Sequence, residues 1–200
     1  MNYAFYDFAK VFVRLMVRVV WRARVYGTEN VPAQGPLIVA CNHVSYFDPP
    51  AMGCLCPRRL SYMAKKELFE IPVLGPMIRG LGAYAVDRQG SATAAVKRSL
   101  EVLQTGGAIG IFPEGTRNRD GSVAPQTGVA LLASLGNAPV VPAYIRGTDK
   151  ALRLGRIDVA FGAPLALAPG RKATREDLSK FTAQIMNAIE MLAESIGGNS

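Results

Sequence analysis

The 200 residues include one histidine, His43, in the run Asn42-His43-Val44-Ser45-Tyr46-Phe47-Asp48. For proton transfer near neutral pH it is the only imidazole available. An unperturbed pKa of ~6.5 suits it to general-base work without a large shift. Asp48, five positions on, is the nearest downstream carboxylate that could orient the ring. A second polar cluster, Phe112-Pro113-Glu114-Gly115-Thr116-Arg117-Asn118-Arg119-Asp120-Gly121, follows about seventy residues later, and Asp87-Arg88 forms a third. If the apolar runs before these clusters form neighbouring strands, one crevice holds a base, its orienter, a second carboxylate and at least two guanidinium groups. That set suits deprotonating a hydroxyl on a molecule that also carries a phosphate. The imidazole takes the proton, the aspartate stabilises the imidazolium, and arginines hold the phosphate bidentately.

Each piece alone has an ordinary explanation. A histidine beside Asn42 and Ser45 can be a loop hydrogen-bonder. Ser45 lacks the Gly-x-Ser-x-Gly elbow of a nucleophile, which favours a turn role. Glu114-Gly115 can be a turn with a solvated carboxylate, Arg117 and Arg119 surface charges, and Arg88 a partner of Asp87. These explanations weaken together, because every cluster terminates an apolar run.

The runs are what must position the clusters. Leu37 to Cys41 reads as a buried strand, with His43 to Asp48 as the loop after it. Pro49-Pro50 opens a helix running to Cys56. Leu60 to Ala64 and Leu81 to Val86 read as strands, with irregular or short helical pieces over 69–80. Ser91 to Thr105 reads as a helix, Ala108 to Phe112 as a strand, and Thr127 to Leu135 as a helix stopped by Gly136. Val140 to Ile145 and Ile157 to Phe161 are further strands. A last helix opens at Thr174 with Asp177 as a capping-box partner, its apolar positions Leu178, Phe181, Ile185, Ile189, Leu192 and Ile196 at helical spacing. Strands alternating with helices predict a single α/β domain, a mixed, mostly parallel sheet covered by helices. In such sheets ligands gather at the carboxyl ends of strands.

Half of the residues are hydrophobic and 19% are charged, yet the net charge is +8. With a pI near 9.7, that balance favours anionic partners. Nucleic acid is not expected, since the basic residues are scattered and no recognition motif accompanies them. Cys41, Cys54 and Cys56 are expected to be reduced, mostly buried thiols of a cytosol-facing protein. Cys54-Leu55-Cys56 is too tight for a zinc knuckle, and one histidine leaves metal ligands short. Asp7, Lys10, Arg14 and Arg18 interrupt the place where a signal peptide's apolar core would lie. No apolar run approaches the ~18 residues that cross a bilayer.

The N-terminus nevertheless reads as membrane-directed. Lys10, Arg14, Arg18 and Arg22 recur every fourth residue, while Phe5, Phe8, Phe12, Leu15, Met16, Val19, Val20 and Trp21 fill most of the remainder. Residues 1–26 are therefore expected to form an amphipathic basic helix at a membrane surface, and 27–200 the main domain. The alternative is an ordinary helix docked on its own domain.

Asn42-His43-x-Ser45-x-x-Asp48 followed by Phe112-Pro113-Glu114-Gly115-Thr116-Arg117 resembles the glycerolipid acyltransferase family, specifically the 1-acylglycerol-3-phosphate acyltransferases. The likeness runs from about Val25 to Phe161 and includes Lys65-Lys66-Glu67-Leu68, the segment Gly82 to Arg88, and Val141-Pro142-Ala143-Tyr144. It implies transfer of a fatty acyl group from a thioester, acyl-CoA or acyl carrier protein, to the free hydroxyl of lysophosphatidate, giving phosphatidate. His43 would be the general base and Asp48 its holder. Arg88, Glu114, Gly115, Thr116 and Arg117 would bind the acceptor's glycerol phosphate end, with Lys65 or Lys66 assisting. Pro142 would belong to the acyl-donor side. The resemblance implies no metal, no cofactor and no obligatory covalent intermediate. It implies peripheral attachment at the cytoplasmic face of the plasma membrane, with an acidic membrane surface and a membrane lipid acceptor as partners. One departure bears on the acceptor: phosphatidate-forming relatives often carry basic residues shortly before the glycine at 128, where this chain has Pro125-Gln126-Thr127. Another lyso-lipid, such as lyso-ornithine lipid or a lysophospholipid, is the alternative acceptor. A catalytically silent lipid-binding homologue is disfavoured by the intact His43, Asp48, Glu114 and Arg117 set. A phosphate-ester hydrolase is disfavoured by the single histidine.

Overall fold

Leu37-Ile38-Val39-Ala40-Cys41 is apolar at every position because both faces of the strand it forms are covered. In the computed structural model, which describes residues 11, 14–72, 74–80, 83–86, 92–167 and 173–197, this run is β2 (Leu37–Cys41), buried throughout. It pairs in parallel with β5 (Ala108–Ile111) on one side and β6 (Val140–Arg146) on the other. Beyond β5 come β3 (Leu60–Lys65) and β4 (Tyr84–Val86), also parallel. Beyond β6 come β7 (Asp158–Phe161), antiparallel to it, and β1 (Arg24–Tyr26), parallel to β7. Among the described residues the seven-stranded order is β1-β7-β6-β2-β5-β3-β4. The mixed, mostly parallel sheet predicted from the alternating pattern is the sheet observed.

Side chains alternate across a strand, so β2 feeds two cores. Leu37, Val39 and Cys41 pack with Ala51, Met52 and Leu55 of α1 (Asp48–Leu55). Ile38 and Ala40 pack on the other face with Leu103 of α3 (Ala92–Gln104), Val129 and Ala133 of α4 (Gly128–Gly136), and Phe181, Ile185 and Ile189 of α5 (Arg175–Gly197). The remaining helix, α2 (Leu74–Gly80), lies within the stretch 69–80 expected to be irregular or helical in pieces. Pro49 and Pro50 occupy the first turn of α1, where a missing N–H costs nothing. The capping box at α5 is reciprocal: Thr174 N–H donates to Asp177 Oδ2 at 2.8 Å, and Asp177 N–H donates to Thr174 Oγ1 at 3.2 Å. α4 runs one residue further than expected. Gly136 is its last residue, and Asn137 takes the left-handed turn at φ +43°. Gly136 also packs closely, since a Cβ there would lie 2.7 Å from Leu103 Cδ1 and would have to displace that methyl.

The N-terminal expectation needs a correction. Phe5, Phe8, Lys10 and Phe12 lie outside the described residues. Residues 14–20 are helical, but the chain turns at Arg22 (φ +48°), and 24–26 are strand β1 rather than helix. The boundary expected after residue 26 therefore falls inside the sheet. Three residues carry no readable periodicity, and what recruits them is the unpaired edge of β7. The helical segment docks through Val17, fully buried, and through Trp21, whose ring lies 5.2 Å from that of Phe47. Its Leu15, Met16, Val19 and Val20 point outward and are exposed. Among the described residues no helix is long and apolar enough to cross a membrane.

Candidate active site

β2 and β5 are neighbours whose onward connections part company: β2 leads through α1 to β3, β5 through α4 to β6. Such a switch point leaves a crevice outside the carboxyl ends of the two strands. Both polar loops open there. They are stitched backbone to backbone and backbone to side chain: Asn118 N–H donates to His43 C=O at 2.7 Å, and His43 N–H donates to Glu114 Oε2 at 2.9 Å.

Within the first loop, His43 Nδ1 and Asp48 Oδ2 are 2.8 Å apart. The bond engages Nδ1, so proton chemistry falls to Nε2. Asp48 is completely buried, a costly place for a carboxylate unless its oxygens are satisfied. Besides the imidazole, Oδ2 accepts the N–H groups of Val44 at 2.7 Å and Ser45 at 2.8 Å. Oδ1 accepts the hydroxyl of Thr148, a residue of the loop after β6. Ser45 serves the turn: its buried hydroxyl donates to Thr148 C=O at 3.0 Å and accepts Phe47 N–H at 3.2 Å.

Glu114 faces inward. Oε2 holds the His43 backbone and Oε1 accepts from Asn118 Nδ2 at 3.1 Å, with only 6% of the residue exposed. Burial raises its pKa above the ordinary glutamate value, an effect opposed by the hydrogen bonds from Asn118 and His43. The geometry thus makes it a brace between the loops. Phe112 stacks on the imidazole with centroids 4.2 Å apart and planes at 23°, and Tyr62 stacks behind Phe112 at 6.1 Å. Tyr62 can lie there because Gly110 has no side chain; a Cβ would sit 2.2 Å from the ring.

The cations are distributed unevenly. Arg117 is exposed beside the dyad, its guanidinium 3.7 Å over the Tyr46 ring. Thr116 is exposed next to it. Gly115 makes the turn at φ +68°, its N–H donating to Phe112 C=O at 2.9 Å, so that group is already engaged. Lys65 ends β3 at the same sheet edge, and Lys66 is exposed just beyond it. Arg88 lies outside the described residues, two positions past the end of β4. Pro142 does not join the cluster. It is buried within β6 in register with Ala40, on the side covered by α5, where both it and Leu192 approach Gly162.

A family model described as Acyltransferase matches residues 22–146. The chain belongs to the acyltransferase family. It is 30% identical over 196 residues to the 1-acyl-sn-glycerol-3-phosphate acyltransferase of Bacillus subtilis (strain 168), covering 96% of this chain and 98% of that protein. Its identity to the enzyme of that name from Streptococcus pneumoniae is 29% over 190 residues, 90% of this chain and 71% of the other. The crystal structure of the 1-acyl-sn-glycerophosphate (LPA) acyltransferase PlsC from Thermotoga maritima superposes with a TM-score of 0.73 at 25% identity, over 96% of this chain and 82% of that one.

Within this acyltransferase, the residues that sequence reading passed over are those supplied from a distance. Thr148 stands a hundred positions from Asp48, and no local pattern pairs them. Asn42 opens the His43 motif, where the sequence alone assigns it no role. Its side chain imitates a strand, donating to Ile145 C=O at 3.0 Å and accepting Ile145 N–H at 2.8 Å, which continues the β2–β6 ladder into the His43 loop. Cys41, Cys54 and Cys56 are all buried, as expected, and none of them forms a disulfide. Burial pushes the Cys41 thiol well above its usual range, and Asp48 and Glu114 push the same way.

Proposed function

We propose that this acyltransferase moves a fatty acyl group from a thioester to the free hydroxyl of a lysophosphatidate, giving phosphatidate. The observation that carries the reading is the braced His43–Asp48 pair at the β2–β5 switch point, with Nε2 as its working nitrogen. The hydroxyl of the acceptor gives its proton to Nε2 as its oxygen attacks the thioester carbonyl. Asp48 stabilises the imidazolium that forms. The tetrahedral adduct then collapses, the C–S bond breaks, and the thiolate recovers the proton from His43. The step balances without metal or cofactor, the donor being acyl-CoA or acyl carrier protein as co-substrate. Such a base is worth ~10²–10⁴ in rate, with positioning supplying much of the rest.

Arg117, exposed beside the dyad, is assigned to the acceptor's phosphate, with Lys65 and Lys66 at the end of β3 and Arg88 as further candidates and Thr116 beside Arg117. Glu114 and Gly115 are assigned to shaping the loop. Attachment is peripheral, through the outward apolar residues of the N-terminal segment, on the cytoplasmic leaflet.

One observation favours a second acceptor. Gln126, in the stretch before Gly128 where phosphatidate-forming relatives often carry basic residues, packs against Gly115 and adds no positive charge there. A panel of acyl-CoA and acyl carrier protein donors with labelled lysophosphatidate, lyso-ornithine lipid and lysophospholipids separates the two. Thiol release in step with phosphatidate is expected; thiol release only with another lyso-lipid would select the second acceptor. No release with any acceptor would overturn the reading.

A further inference from the structure

Beside the dyad, on the side away from the Glu114 loop, the chain leaving β6 makes a short 3-10 helix over Thr148–Arg153. Its inward residues are committed. Thr148 holds Asp48, and Ala151 C=O accepts the Trp21 indole N–H at 2.7 Å. Two further bonds knit this loop to the end of the N-terminal segment: Ile157 N–H to Trp21 C=O at 3.2 Å and Arg24 N–H to Ile157 C=O at 3.0 Å. Its outward residues are anomalous for a fold in water. Leu152 is fully exposed at 101% and Leu154 is 55% exposed. Leu154 also adopts a left-handed backbone, φ +54°, which disfavours any residue with a side chain. The fold draws neither burial nor a relaxed backbone from this leucine.

The surroundings are cationic. Lys150 and Arg153 are exposed on the same turn, and Arg18, Arg22 and Arg24 are exposed across the Trp21 joint. Asp149 is the one carboxylate between residues 148 and 157. Apolar side chains set among Lys and Arg are what an anionic lipid–water boundary accepts. A second copy of this chain would bring these five cations against their like; acidic headgroups neutralise them.

We propose that Leu152 and Leu154 insert into an anionic lipid surface, forming a second membrane contact beside the outward face of the N-terminal segment. The proposal rests on the acyltransferase reading for its purpose. One contact leaves the protein free to swivel on the membrane, whereas two hold it at one angle. Because Thr148 belongs to the same short helix, that angle sets His43 and Asp48 where the acceptor's hydroxyl emerges.

The test is co-sedimentation of the full chain with vesicles of phosphatidylglycerol and phosphatidylcholine, comparing the natural protein with Leu152→Asp/Leu154→Asp. Partition is expected to weaken about tenfold or more, since two leucines lose their apolar burial. Thermal unfolding and turnover of a short-chain lysophosphatidate that is monomeric in solution should not change. Turnover of long-chain lysophosphatidate in vesicles should fall with partition. Unchanged partition would overturn the proposal. So would a loss confined to the melting temperature, which would put the leucines against the protein's own chain, or a concentration-dependent dimer abolished by the variant. Partition is read without turnover. Vesicle binding through Leu152 with no turnover of any lysophosphatidate would therefore sink the acceptor assignment and leave the docking surface standing.

Discussion

Asp48 accepts hydrogen bonds from an imidazole, two backbone N–H groups and a hydroxyl, while His43 makes its one ring bond to Asp48. The aspartate is thus fixed first, and the histidine is fixed by it. Replacing His43 with Ala removes the proposed base and leaves that loop anchored. Turnover should fall ~10²–10⁴-fold with little change in the unfolding midpoint; a steady-state thiol-release assay beside a urea titration checks both. Glu114 gives a pH signature. Burial raises its pKa in the folded chain, so the fold prefers the protonated carboxyl. The resulting stabilisation is complete below the unfolded pKa and is lost as pH rises through the folded one. The natural protein should therefore gain stability relative to Glu114→Gln on going from pH 7 to pH 5, read as the gap between urea midpoints at the two values. A gap indifferent to pH would return Glu114 to an ordinary carboxylate.

At the scale of elements, the dyad is held by what lies behind it. β5 carries Gly110 so that Tyr62, from β3, can back Phe112, and Phe112 in turn backs the imidazole. Gly110→Ala should cost ~1–3 kcal/mol by overpacking and should lower turnover as well, because the displaced ring presses on the stack. Measured stability and kcat together test it; a loss of stability with kcat intact would uncouple Tyr62 from the site. The N-terminal helical segment has a buried face at Val17 and an exposed apolar one, the proposed membrane contact. Val17→Asp puts a charge into the core and should cost roughly 2–4 kcal/mol. Val19→Asp, two residues on at an exposed position, should leave the unfolding midpoint alone and weaken vesicle binding. If both variants behaved alike, the segment would have one role instead of two.

Over the whole molecule, in the proposed membrane attachment, the net charge of +8 and the exposed apolar side chains on the N-terminal segment and after β6 would act on the same partner. Charge attracts over about a Debye length, ~10 Å at 0.1 M salt, and insertion acts only on contact. Partition onto acidic vesicles should therefore fall steeply as salt rises and reach a floor set by the apolar residues. Partition onto neutral vesicles should show the floor alone. Sedimentation across a salt series with both lipid compositions measures the two contributions; salt-independent partition onto acidic vesicles would remove charge from the account.

Much of this protein is written in short-range pattern. Five apolar residues before Asn42, the five-residue step from His43 to Asp48, the polar run after Ile111 and the capping box at Thr174 each act over a few positions, where strand pleat, turn geometry and helix pitch leave few choices. Those stretches established the α/β class and the place of the dyad at a strand end; that the two loops meet was decided by the pairing of β2 with β5. Other features depended on groups far apart in the chain. β1 exists because β7 offers an edge to it, Asp48 is satisfied because Thr148 arrives from a hundred residues away, and Glu114 turns inward because the His43 backbone needs an acceptor. A carboxylate in a motif can face a ligand or a neighbouring loop with equal ease. The contacts that choose between these outcomes form only when the sheet has closed, so tertiary structure alone decided them.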